Sequence, residues 1–136
     1  MPLEPGLVGT ATLTVTDAHT AARMGSGRAA VFATPMMIAL MEAAAVDAIE
    51  RTLPEGQESL GTSIEVEHIA ATPIGVTVQA RATLRHVEGR KLTFDVEAHD
   101  ERELIGRGRH TRVLVDSARF RAKAQTKASQ AKAPIT

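Results

Sequence analysis

Glu42 is a carboxylate that breaks early into an apolar stretch, Met36 to Ile49, whose other acid, Asp47, lies near its end. Burial disfavours the charged form of an acid and costs several kcal/mol unless the group is paired or its pKa rises, so Glu42 is the first candidate for chemistry. His68 is the second. It closes Ile64-Glu65-Val66-Glu67-His68, where strand alternation puts Ile64, Val66 and His68 on one side and both glutamates on the other. An imidazole, with an ordinary pKa of about 6.5, accepts a proton near neutral pH. A carboxylate in a core helix and an imidazole on the core side of a strand point to one site suited to general acid–base work.

A helix and a sheet must position these two groups. The helix start is written at Thr34-Pro35, with Thr34 as N-cap and Pro35 at the first helical position, and the helix stops near Leu53-Pro54-Glu55-Gly56. Its first amides, at Met36 and Met37, would lie unpaired at a positive dipole end. Upstream, Leu7 to Thr16 alternates apolar residues with threonines and reads as a strand. Thr20 to Ala30, with Gly25-Ser26-Gly27, has no periodicity and reads as a mobile loop of the kind that can act as a lid.

Downstream come a strand from Leu60 to Ile69, a turn at Ala71-Thr72-Pro73-Ile74-Gly75, and further alternating runs. Val76, Val78, Ala80, Ala82 and Leu84 share one side, and Leu92, Phe94, Val96 and Ala98 point inward after a Glu88-Gly89-Arg90 turn. The last run covers Leu104 to Val115. Connections this short demand antiparallel neighbours, because parallel ones need a long crossover. One long apolar helix and one curved antiparallel sheet have one good packing solution, the sheet wrapped around the helix. That is an α+β, hot-dog arrangement. The domain is expected over residues 1–120, and residues 121–136 as a basic, frayed or disordered tail that can form transient helix.

The 136 residues suit a single domain, and acidic and basic side chains balance. Five cations and no acid lie from Arg119 onward (Arg119, Arg121, Lys123, Lys127, Lys132), which leaves a mildly acidic body. With three Phe and no Tyr or Trp there are few stacking platforms, so no nucleic-acid partner is expected. Absence of cysteine excludes disulfides, thiol catalysis and thiolate metal sites. His19, His86, His99 and His110 have no metal-ligand spacing, so neither metal nor cofactor is expected. No apolar leader opens the chain and its longest apolar run is broken by Glu42 and Asp47, so the expectation is a cytoplasmic protein without a membrane partner. Gly106-Arg107-Gly108 lies in a strand and opens no helix, so it is no phosphate loop; Arg81, Arg85, Arg107 and Arg109 could meet the phosphates of a bound coenzyme, although alternation makes most of them solvent-facing.

Val31-Phe32-Ala33-Thr34-Pro35, Leu40-Met41-Glu42, Ser59-Leu60-Gly61-Thr62 and His68-Ile69-Ala70-Ala71-Thr72-Pro73 resemble the fluoroacetyl-CoA thioesterase family of hot-dog proteins. The resemblance runs from about Leu7 to Phe120, with a further match at Arg112. It implies a catalytic set of Thr34, Glu42 and His68, a Gly61 backbone amide near the acyl group, and a supporting Arg112. It also implies an acyl-CoA substrate and a homodimer, with a tetramer left open. In the fluoroacetyl-specific enzyme the loop before the helix is longer and supplies Phe residues as a lid, whereas Met24 is the largest side chain of Thr20 to Ala30 here. The resemblance therefore carries the thioester chemistry and not the fluorinated substrate.

Thr34 and Glu42 lie eight residues apart, or about 12 Å along a helix axis, so one helix cannot bring them together. They serve one pocket only if a second subunit contributes one of them or the substrate spans the gap. Two mechanisms fit: His68 and Glu42 activate water, or Thr34 or Glu42 first takes the acyl group. The N-cap role of Thr34 competes with attack and favours water or the carboxylate. Taken singly, Thr34 is a cap, His68 a core histidine, Gly61 a bulge and Arg112 an ion-pairing strand residue. A protein that binds acyl-CoA or a small carboxylate without turnover is the competing function. A hydratase on the same fold lacks its Asp/His signature here.

Overall fold

The computed structural model describes residues 2–131. In chain order the elements are β1 (Val8–Thr14), α1 (Ala21–Met24), α2 (Thr34–Ile49), β2 (Gln57–His68), β3 (Thr77–Glu88), β4 (Lys91–His99), β5 (Leu104–Asp116) and α3 (Ser117–Gln130). All strands join one antiparallel sheet in the order β1-β3-β4-β5-β2. The β3-β4-β5 meander is the part that alternation and short turns require. Its first turn is two residues long, Gly89-Arg90, with Gly89 at φ +61° where a side chain would be strained. β2 crosses to the far edge and pairs with β5, which no local pattern announces.

The inner face is built by residues two apart. Val78, Ala80, Ala82 and Leu84 of β3, with Leu92, Phe94, Val96 and Ala98 of β4, are all buried. They meet Met37, Leu40, Met41, Ala44, Ala45, Ala48 and Ile49 of α2. Each large side chain withdrawn from water here contributes about 1.5–3 kcal/mol. The alanines of α2 let the sheet come close: a Cβ on Gly9 of β1 would overlap the Ala44 carbonyl and the Ala48 backbone. The Gly9 site therefore admits only glycine.

Thr34, Pro35, Ala39, Ala43, Val46 and Asp47 leave an exposed, mainly small and apolar stripe along α2. Two expectations are corrected. Thr20 to Ala30 is not a loose loop. Thr20 is buried, its hydroxyl donates to the Asp17 carbonyl at 2.8 Å, and the amides of Ala21 and Ala22 donate to the Val31 and Ala29 carbonyls. The segment is a short α1 turn folded back on itself. Finally, the expected tail is helical over Ser117–Gln130, because Asp116 caps it through the Arg119 amide at 2.8 Å and Ala, Lys and Gln favour helix. Lys132 and the rest of that tail lie outside the described residues.

Candidate active site

Thr34 is the first helical residue, and the N-cap is Ala33, which offers no side-chain bond. The reason lies upstream. Phe32 and Ala33 donate their amides to the Thr72 and His19 carbonyls at 2.8 and 2.9 Å, which holds the chain extended up to Ala33 and starts the helix one residue earlier than Thr34 capping would. The Thr34 hydroxyl is thereby released, and it lies 2.8 Å from Nδ1 of His68, the last residue of β2. Phe32 sets its ring edge-on to the imidazole, with centroids 6.4 Å apart. Desolvation holds the His68 pKa below its ordinary value, with the Ala70 main chain acting against the shift. The ring is therefore neutral at pH 7.

A neutral imidazole carries one N–H. When the threonine donates its O–H to Nδ1, the ring proton sits on Nε2, which is buried and has no hydrogen-bond partner among the described residues. Such an unpaired buried group is costly, which makes Nε2 a candidate donor for a bound group. Beside it lies a hollow of 310 Å³ lined by Phe32, Thr34, His68, Ile69, Ala70 and part of the α1 segment. The Met37 amide, expected to be free, is taken by the Ala33 carbonyl at 3.0 Å.

Two turns further along α2 is a second cluster. Glu42 is not buried in the single chain, being 43% exposed, and its Oε2 accepts from Arg112 Nη1 at 3.1 Å. Arg112 is only 5% exposed. Its Nε and Nη2 donate to the Ser59 hydroxyl and carbonyl at 2.8 and 3.0 Å, and Nη1 also reaches His110 Nε2 at 3.0 Å. An arginine only donates, so His110 Nε2 accepts, and its Nδ1–H donates to the Ser63 carbonyl at 2.8 Å. His110 is thus fixed in one neutral tautomer, consistent with burial and the nearby guanidinium keeping its pKa low. Gly61 faces Arg112 in the ladder at a bulge, and a Cβ on it would collide with the Glu42 carboxylate.

The structure therefore brings Thr34 to His68 and Glu42 to Gly61 and Arg112, and it keeps the two sets apart on α2. Sequence reasoning missed Ser59 and His110. His110 was readable from its place two residues before Arg112 on an alternating strand, which puts both on one face.

Residues 15–118 match the family model described as FlK, fluoroacetyl-CoA-specific thioesterase. A fluoroacetyl-CoA thioesterase from Streptantibioticus cattleyicolor is 50% identical over 97 residues, covering 71% of this chain and 70% of that protein. The solved structure of the fluoroacetyl-CoA thioesterase FlK superposes with a TM-score of 0.87 at 39% identity, covering 93% of this chain and 98% of that one. A thioesterase superfamily member from Thermus thermophilus gives 0.87 at 30% identity, covering 95% and 96%. The sheet curled around α2 is thus the hot-dog fold of these enzymes. On a match spanning most of its length, the chain belongs to the family of fluoroacetyl-CoA-specific thioesterases and is a thioester hydrolase.

Proposed function

We propose that the protein hydrolyses a small acyl-CoA thioester at sites built between two copies of the chain, with Thr34 and His68 from one and Glu42, Gly61 and Arg112 from the other. The observation that carries this reading is the division of the site residues into two finished half-sets on one rigid helix. Each has its own hydrogen bonds, at 2.8 Å for Thr34 with His68 and 3.1 Å for Glu42 with Arg112. About 12 Å of helix separates them, more than one reacting carbonyl spans. The exposed apolar stripe of α2 carries Thr34 at its start and passes Glu42, and covering it with a second copy would desolvate both half-sets.

In this reading His68 takes the Thr34 proton, Thr34 Oγ1 attacks the thioester carbon, and the C–S bond breaks as coenzyme A leaves with that proton. Water then attacks the acyl-threonine, Glu42 accepts its proton, and the free acid departs as Thr34 recovers its hydrogen. The earlier objection to threonine, that capping occupies it, is removed by Ala33. Nε2–H of His68 and the Gly61 amide are the donors offered to the oxygen that gains charge. Acid-quenched turnover should trap acyl-Thr34 by mass spectrometry, and its absence during steady turnover would favour direct attack by water.

The acyl group is small because the hollow beside His68 holds 310 Å³, at the low end for ligand pockets. No aromatic from residues 20–30 covers it, and Met24 is 44% exposed, so discrimination in favour of a fluorinated acyl group is not part of the proposal. We keep the cytoplasm as the expected location, to be checked by fractionation. Among the described residues no helix is long and apolar enough to cross a membrane.

The test is complementation. His68→Ala and Glu42→Gln should each abolish thiol release from an acyl-CoA panel. Unfolded together and refolded as a mixture, they should recover about a quarter of wild-type turnover, since half the pairs are mixed and each mixed pair has one intact site. No recovery from a mixture shown to form pairs would put the whole site in one chain. An absence of thiol release from wild type on every acyl-CoA tried would leave a binding protein.

A further inference from the structure

A hollow of 570 Å³ lies away from either half-set, on the outward face of the sheet over β2, β5 and β4. Charge is arranged there in stripes along the strands. β2 presents Glu65 and Glu67, β5 presents Arg107 and Arg109, β4 presents Asp95 and Glu97, and β3 presents Arg81 and Arg85. The register ties them into rows: Glu67 faces Arg107, which faces Glu97, which faces Arg81, and in the next row Glu65 faces Arg109, which faces Asp95. Across the sheet the sign runs minus, plus, minus, plus. Asp95 pairs with Arg85 at 2.8 Å. The other six form no ion pair among the described residues.

We infer that this face packs back to back on the same face of a second copy of the chain, about a two-fold axis parallel to the strands over the seam between β4 and β5. The order of signs is antisymmetric about that seam. Rotation by half a turn lays β5 over β4 and β2 over β3, so every positive stripe meets a negative one. Arg107 then meets Glu97 of the copy, Arg109 meets its Asp95, and Glu67 meets its Arg81. Each contact occurs twice, which is the condition for an interface that closes on itself. Stacked sheets lie about 10 Å apart, a gap that an arginine and a glutamate reaching from opposite sides bridge. The hollow lies over β5, beside the seam and bounded by β2 and β4, with Val66, Gly108 and Val96 among its lining, and the copy's side chains can enter it.

The same arrangement argues against an anionic ligand, because Arg107 and Arg109 are each flanked by carboxylates on both neighbouring strands. It argues equally against nucleic acid, and a protein partner of one sign would meet repulsion from every second stripe. Only a surface with the same alternation fits, and this chain has one.

Sedimentation velocity of the full chain at about 50 mM and about 500 mM salt reads the contact, since screening over a few ångströms weakens exposed ion pairs. The wild-type mass should be twofold higher at low salt. Arg107→Glu places like charges across the seam and should hold the lower mass at both salts. The exchange Arg107→Glu with Glu97→Arg restores opposite signs across the seam and should restore the doubling. Thiol release per chain and KM for acyl-CoA should stay at wild-type values in both variants. An unchanged mass in Arg107→Glu overturns the inference. So does a raised KM for acyl-CoA without a change in mass, which would make the face a contact for substrate phosphates.

Discussion

In the proposed reaction His68 must be neutral to accept a proton, and its surroundings favour that form. Burial lowers its pKa below the unfolded value of about 6.5, and His110 is shifted in the same direction. In the window below 6.5 the unfolded chain binds protons that the folded chain refuses, so stability is full above that pH and falls as pH drops through the lowered values. For turnover, log kcat/KM should be level above pH 6.5 and decline only at more acid pH, and a break above 6.5 would contradict the neutral, desolvated ring. At Gly61 the constraint is space. Gly61→Ala would push the Glu42 carboxylate off Arg112, and misplacement of about 1 Å should cost roughly 10²-fold in kcat with the far-UV spectrum unchanged. Of the five proposed site residues, Glu42 and His68 stand out by type and spacing and Thr34 as the residue that opens the helix, while Gly61 and Arg112 are named by the family pattern. Their bonds could not be named, because Ser59 and His110 join the site only through the β2–β5 register.

At the scale of the element, α2 decides which role Thr34 plays. Loss of a capping hydroxyl costs about 1 kcal/mol, so a Thr34 that capped would be felt in stability. Here Ala33 occupies the cap position, and Thr34→Ala should leave the urea midpoint within error while thiol release collapses; Thr34→Ser should keep most of the activity. A drop in stability of the capping size with activity retained would return Thr34 to a structural role. The helix, its early stop signals and its buried face were legible, because Pro35, Pro54 and Gly56 punctuate an apolar run. The cap was not, since residue preference at a helix start is overruled by the tertiary bonds of Phe32 and Ala33. α3 was missed for the opposite reason: with no buried side chain it has no apolar period to read, and only its Asp116 cap marks it.

For the whole molecule, inward-facing residues at period two made the β3-β4-β5 meander and the wrapped helix readable, while the placement of β2 beside β5 depends on a crossover that leaves no local trace. That placement sets the site, since it delivers His68 to the start of α2 and Gly61 to its middle. The exposed stripe of α2 is the surface on which the proposed pairing of half-sets depends. Ala43→Glu, at its centre, should lower the mass of the assembly and abolish thiol release together, whereas full activity in a separated chain would refute shared sites. If the sites are shared as proposed, the spacing of Thr34 and Glu42 on one stiff rod makes dilution an off switch. A chain alone would then hold every reacting group with no place where they meet, and newly made copies would stay silent until enough accumulate to find each other.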